Sequence, residues 1–166
     1  MATATNLKDA FAGESQANRM YTAFARKADA EGFKQIAKLF RAAAAAETVH
    51  ALAHLRAMGG VKSTVENLQK GVDGEAHEFR EMYPPFLAGA IADGHKAAEI
   101  SFKYALAVEE VHHTLYSDAL ALAQAGKDLP PADIFVCENC GYTVAGEAPD
   151  RCPVCGASRP RFTKVE

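Results

Sequence analysis

Cysteine is absent from the first 136 positions of this 166-residue chain, and all four of its cysteines fall among the last 30 residues. That excludes a disulfide-stapled secreted scaffold for the larger part of the molecule. Long apolar runs are also missing. Nothing approaches the roughly 20 residues needed to span a bilayer, and the opening MATATNLKDAF lacks a basic start followed by an apolar stretch. We therefore expect a cytoplasmic protein with no membrane partner. There is no basic cluster and no basic-aromatic interleaving: 18 basic side chains face 21 acidic ones for a net charge of -3, which excludes nucleic acid as a partner. A glycine-rich dinucleotide loop is absent too, so NAD(P)H could act only through a separate reductase. What remains is 49% apolar, enough for one main core and a small satellite.

From Asn6 to Gly126 apolar residues recur at helical spacing in a background of Ala, Leu, Glu and Lys, with glycines at the stops. This predicts four helices: about Asn6 to Ala30, about Phe33 to Met58, Ser63 to about Ala92, and one that follows Asp93-Gly94 and ends at Gly126. Ser63-Thr64-Val65-Glu66 has the capping-box pattern, and Pro84-Pro85 should kink the third helix. Gly126 to Pro131 breaks the composition. The predicted organisation is a helical bundle over 1–126, a linker over 127–133 and a small strand-and-knuckle domain over 134–166.

The helical part repeats itself. Met20-Tyr21 recurs as Met82-Tyr83, Phe24 as Phe86, Ala30-Glu31-Gly32 as Ala92-Asp93-Gly94, and Glu47-Thr48-Val49-His50 as Glu109-Glu110-Val111-His112, each 62 residues on. Gly13-Glu14 matches Gly74-Glu75 at 61, a slip of one residue. Residues three apart share a helix face, so Glu47 with His50, and Glu109 with His112, each offer a carboxylate and an imidazole in one direction. Glu14 lies 18 residues before Gly32 and Glu47 lies 15 after it; Glu75 and Glu109 stand 19 and 15 from Gly94. Folding at each glycine brings the paired glutamates to one height. Glu78 adds a fifth carboxylate one turn beyond Glu75. This is the ligand plan of di-iron carboxylate bundles, a Glu from each of two helices and a Glu-x-x-His from each of the other two. Unpaired buried carboxylates are costly, and two divalent ions supply the countercharge.

Other groups read more plainly. His54 is a partly buried histidine or an outer-shell group, His77, His95 and His113 are surface residues, and Glu110 is solvated. Tyr21 and Tyr83, two turns from Glu14 and Glu75, either pack in the core or hydrogen-bond a ligand carboxylate. Ala42 to Ala46 is helix-forming filler that permits close packing.

Cys137-x-x-Cys140-Gly and Cys152-Pro-x-Cys155-Gly specify one tetrahedral four-sulfur site, which both zinc and iron accept. Zinc would make it a clip and iron a one-electron relay; taken alone, the motif leans to zinc, while a redox bundle on the same chain shifts the balance to iron.

Gly13-Glu14-Ser15-Gln16-Ala17, Glu47-x-x-His50, Gly74-Glu75-x-x-Glu78, Met82-Tyr83-Pro84, Glu109-Glu110-x-His112 and Cys137-x-x-Cys140-Gly-Tyr142 together resemble the rubrerythrins, in order and over essentially the whole chain. The resemblance implies a mainly α protein, a ferritin-like four-helix bundle followed by a rubredoxin-like FeCys4 domain, that reduces hydrogen peroxide to water and protects against oxidative stress. It implies two irons in the bundle, oxo- or hydroxo-bridged when oxidised, with Glu47 and Glu109 bridging. Glu75 and His112 would complete one iron, and Glu14 with Glu78 or His50 the other, Glu78 and His50 exchanging between redox states. Tyr21 and Tyr83 would hydrogen-bond near the site. One iron, or zinc, would occupy Cys137, Cys140, Cys152 and Cys155, and electrons would come from an external donor, a reductase or a rubredoxin. The competing reading is a ferritin-like protein that oxidises and stores iron, with a structural zinc knuckle; Glu78 and the relay motif favour the peroxidase. A purely structural zinc module leaves the five glutamates unexplained.

One feature sits badly with a bundle closed within one chain. Ferritin-like bundles need a long crossover between their second and third helices. Met58 to Ser63 can span only about 20 Å, against a helical rise of roughly 35 Å. The expectation is a homodimer swapped between these two helices, unless the third helix starts only near Gly71 or Gly74.

Overall fold

The computed structural model describes residues 2–166. The chain divides between Lys62 and Ser63 into two compact units. The first is a helical hairpin, α1 (Ala2–Ala30) and α2 (Lys34–Ala57). Its turn closes by two backbone bonds, Phe33 N–H to Ala28 O at 2.9 Å and Gly32 N–H to Asp29 O at 3.2 Å. This Schellman arrangement requires a left-handed residue, and Gly32 supplies it at φ 86°. The helices meet through small side chains: Ala25, Ala28, Ala37, Ala44 and Ala51 are all buried. Alanine keeps both backbones close while favouring the helix itself. The polyalanine filler thus includes a packing residue, Ala44.

The second unit opens with α3 (Thr64–His77), a π-helical turn (Glu78–Met82) and α4 (Tyr83–Ala92), which pack against α5 (Lys96–Gln124). Ser63 caps α3 as a full capping box with Glu66, so the third helix starts at Thr64 and not near Gly71 or Gly74. Its closing turn copies the first: His95 N–H to Ala90 O at 2.9 Å and Gly94 N–H to Ile91 O at 3.1 Å, with Gly94 at φ 66°. An aromatic trio repeats as well. Tyr21, Phe24 and Phe40 cluster in the first hairpin with ring centroids 5.6 to 6.3 Å apart, and Tyr83, Phe86 and Phe102 do so in the second at 5.7 to 6.3 Å.

The expected kink at Pro84-Pro85 takes the form of the π turn. Neither proline carries an N–H, and Tyr83 N–H bonds Glu78 O, five residues back. A π turn holds one residue more than an α turn. It falls between Glu75, which matches Glu14 at a displacement of 61, and Tyr83, which matches Tyr21 at 62. The one-residue slip in the repeat is this turn.

The remainder of the second unit is a three-stranded antiparallel sheet in the order β2 (Thr143–Ala145), β1 (Ile134–Cys137), β3 (Phe162–Lys164). Phe135 pairs with Val144, and Cys137 with Phe162. The knuckle lies against α5, where Gly141 backs onto Val108, itself only 2% exposed. Among the described residues no helix is long and apolar enough to cross a membrane.

Candidate metal centres

Among the described residues three groups of donor atoms form, each within 4.8 Å: Cys137, Cys140, Cys152 and Cys155; Glu14, Glu47 and His50; and Glu75, Glu109 and His112. In the knuckle, Sγ of Cys137 and Cys155 are 3.7 Å apart, and those of Cys140 and Cys152 are 3.5 Å apart. These are not bonded sulfurs. Four thiolates about 2.3 Å from one ion stand about 3.8 Å from each other in a tetrahedron, so the set fits a single metal. The two Cys-x-x-Cys turns are alike, with Gly141 N–H bonding Cys137 O at 2.8 Å and Gly156 N–H bonding Cys152 O at 2.9 Å. Burial pushes the Cys137 thiol up, against hydrogen bonds from the amides of Asn139 and Cys140. Burial also raises Cys140, against the Tyr142 amide. At Cys155 burial acts upward too, yet the Asn139 side chain and the Ala157 amide bring the thiol down to about 7. Amides aimed at sulfur favour thiolates, the form a metal binds.

In the first hairpin, α1 presents Glu14 and α2 presents Glu47 and His50. His50 Nδ1 lies 3.1 Å from Glu47 Oε2 and 4.0 Å from Glu14 Oε1. Glu14 is raised from the ordinary carboxylate range, first by its hydrogen bond to Glu47 and then by burial. Glu47 is lowered by that same bond and by one from His50. The opposite directions are what a hydrogen bond between two carboxyls produces, one acting as donor and the other as acceptor. In the second hairpin, His112 Nδ1 lies 2.7 Å from Glu109 Oε2. Burial, then the charge of Glu109, pushes Glu75 up to about 7. Carboxyls held above their ordinary range by burial and by one another are relieved by a cation, and their oxygens with the adjoining imidazole are the donors that a divalent iron accepts.

The structure brings together ten of the eleven predicted donors in three groups. Glu78 stands outside the Glu75 group but close by, for burial and then the Glu109 charge raise it. Tyr83 is raised by burial and then by Glu78, Glu109 and Glu75, so its phenol belongs to this acidic neighbourhood. Tyr21 packs on Phe24 and Phe40. His54 is half-buried, and its charge acts on Glu14. His77 is exposed and pairs with Glu81 at 3.2 Å, while His95 accepts from Ala98 N–H at the start of α5. His113 differs from expectation: it is half-buried, edge-on to Phe79 at 5.4 Å, because the π turn carries Phe79 against α5.

Two residues escaped the sequence reading. Asn18 is buried, and its Nδ2 donates to Ala44 O at 2.6 Å and to Thr48 Oγ1 at 2.8 Å, while its Oδ1 accepts from Arg19. It locks α1 to α2 one turn from Glu14 and beside Glu47. The signal was there, since Asn18 follows Glu14 by four residues on the same face. Thr143, whose hydroxyl lies 3.0 Å from His112 Nε2, gave none.

The family model for rubrerythrin matches residues 5–120, and that for the rubrerythrin rubredoxin-like domain matches residues 135–163. Rubrerythrin-2 of Clostridium acetobutylicum is 33% identical, over 96% of this chain and 95% of its own. Nigerythrin of Nitratidesulfovibrio vulgaris is 39% identical over 97% and 85%. The solved structure of partially reduced nigerythrin superposes with a TM-score of 0.59 at 34% identity, covering 98% of this chain and 86% of that one. With its mainly α, ferritin-like helical plan, its paired Glu and His donor sets and its terminal four-cysteine knuckle, the chain belongs to the rubrerythrin family.

Proposed function

We propose that this protein is a non-haem di-iron peroxidase: hydrogen peroxide is reduced to water in the bundle, and electrons enter through an FeCys4 knuckle. The observation that carries this is the pairing, on one chain, of two matched Glu-Glu-His sets with a closed four-sulfur site. The reaction takes one peroxide, two electrons and two protons to two waters. An iron pair held by these residues would supply the two electrons together, and an iron held by Cys137, Cys140, Cys152 and Cys155 would return them singly.

The side chains divide the remaining work. Glu14, Glu47, Glu75 and Glu109 hold the pair and balance its charge, with His50 and His112 as neutral donors. Glu78 lies near enough to feel Glu109 yet outside the Glu75 group, which suits a ligand that engages in one redox state and releases to His50 in the other. Tyr83, held as the protonated phenol by burial and the surrounding carboxylates, is a hydrogen-bond donor beside them, and Tyr21 is its counterpart in the repeat. An external reductase or rubredoxin feeds the knuckle. Four cysteines committed to a metal, and none to a disulfide, suit the reducing cytoplasm.

The bundle is completed, on this reading, by a swapped homodimer. Six residues join α2 to α3, from Met58 to Ser63, and the first of them turn back on α2 through Gly60 N–H to Leu55 O. A crossover from Ala57 to Thr64 at metal height needs about 30 Å of rise; this joint extends at most about 25 Å.

Anaerobic stopped-flow tests the activity. Reduced, iron-loaded protein should be recoloured by peroxide, and a donor should bleach it again. Cys137→Ser should block reduction by the donor yet spare one turnover of the prereduced bundle. A colourless zinc-only protein with full activity, or ferric iron accumulating as a stored core in place of turnover, would refute the proposal.

A further inference from the structure

His112 is held at both ring nitrogens and His50 is not. Nδ1 of His112 faces Glu109 Oε2 at 2.7 Å, and Nε2 faces Thr143 Oγ1, on β2 of the knuckle, at 3.0 Å. The same Thr143 hydroxyl donates to Gly141 O at 3.0 Å. A hydroxyl has one hydrogen, and a carbonyl can only accept. With its hydrogen committed to Gly141, Thr143 offers His112 nothing but a lone pair. Nε2 must therefore carry the ring hydrogen, and in a neutral imidazole that leaves Nδ1 bare. The bare nitrogen is the one beside Glu109 Oε2, two lone pairs 2.7 Å apart that a cation between them reconciles.

Among the described residues His50 has polar neighbours at Nδ1 alone, Glu47 and Glu14. Its side chain is 54% exposed, against 27% for His112. The repeat makes the two histidines equivalent in sequence, and the knuckle makes them different. Resting on the di-metal reading above, we propose that Thr143 is a positioning residue: it fixes His112 as the Nε2–H tautomer and presents Nδ1 to the metal, so that this ligand is anchored to the four-cysteine domain while His50 stays free to move. A partner that accepts from the second ring N–H raises the basicity of a metal-bound histidine and sets its orientation.

The full chain, loaded with zinc at all sites to be diamagnetic and labelled with 15N-histidine, reports the tautomer in two-bond 1H–15N spectra. The expected result for His112 is a protonated Nε2 and a metal-bound Nδ1. A protonated Nδ1 in the loaded wild-type chain overturns the inference without any variant, and leaves the metal reading standing. In the iron-loaded protein, Thr143→Val should weaken retention of bundle iron against a ferrous chelator by about 10- to 100-fold, with the absorption of the four-sulfur site unchanged, and Thr143→Ser should restore it. Retention in Thr143→Val equal to wild type, or failure of Thr143→Ser to rescue, overturns the inference. A wild-type chain that takes up no metal in the bundle overturns the metal reading itself.

Discussion

Glu75 holds its proton up to about 7 in the metal-free fold, chiefly because it is partly buried beside Glu109. An unfolded glutamate releases it near 4.5. Between these values the folded chain binds a proton that the unfolded chain does not, so this contribution is fully present below about 4.5 and is lost as pH rises to about 7. With the cysteine site filled and the bundle stripped of metal, Tm should fall over this window more steeply in the wild type than in Glu75→Gln. Equal slopes in thermal unfolding would refute the assignment. Metal reverses the dependence, because a bound cation takes the place of the proton and uptake releases it. The donors themselves can be tested singly. Glu47→Ala or Glu109→Ala should abolish di-metal binding and leave the cysteine site filled; metal analysis with full bundle iron in either variant would show that these carboxylates are not ligands.

At the level of elements, the two hairpins are one plan written twice. Their glycine turns, the Tyr21-Phe24 and Tyr83-Phe86 repeat and the Glu-x-x-His pairs were legible because each follows from spacing on a single helix or a matched pair, whereas Phe40 and Phe102, which complete the aromatic trios, were not picked out. The donor heights were legible for the same reason. The π turn was visible only as a slip in the repeat: an extra residue shows in the alignment, but its absorption as an i to i-5 bond depends on the donors that Pro84 and Pro85 remove. His113 was misplaced for a related reason, since the turn rotates Phe79 onto it. Thr143 was invisible because its partner lies 31 residues away on another element. Asn18 shows what a single buried amide does within a hairpin. Asn18→Ala removes the donor to Ala44 O and Thr48 Oγ1 and leaves the carbonyl without that partner, a loss of about 1–3 kcal/mol. Chemical denaturation should show this as a lower midpoint with an unchanged slope, and a wild-type midpoint would refute the role.

The whole molecule poses a question that neither hairpin answers alone. Met20, Phe24, Ile36, Leu39 and Val49 are exposed on the first hairpin, and Phe86, Ile91 and Ile100 on the second. Apolar surface on this scale needs cover, and the swap proposed above supplies it from a second chain. Two different lesions distinguish whose hairpins meet. Glu47→Ala damages the first hairpin and Glu109→Ala the second, and alone each should destroy every site in the homodimer proposed above. If the hairpins are exchanged, a mixed dimer of the two variants builds one site carrying both lesions and one carrying neither. If each chain closes on itself, every site in the mixed dimer carries one lesion. Random reassembly of the two variants should then restore about a quarter of wild-type sites in the exchanged arrangement and none in the other. Bundle iron per chain and peroxide turnover both report the count, and no recovery in mixed dimers verified by mass would refute the swap.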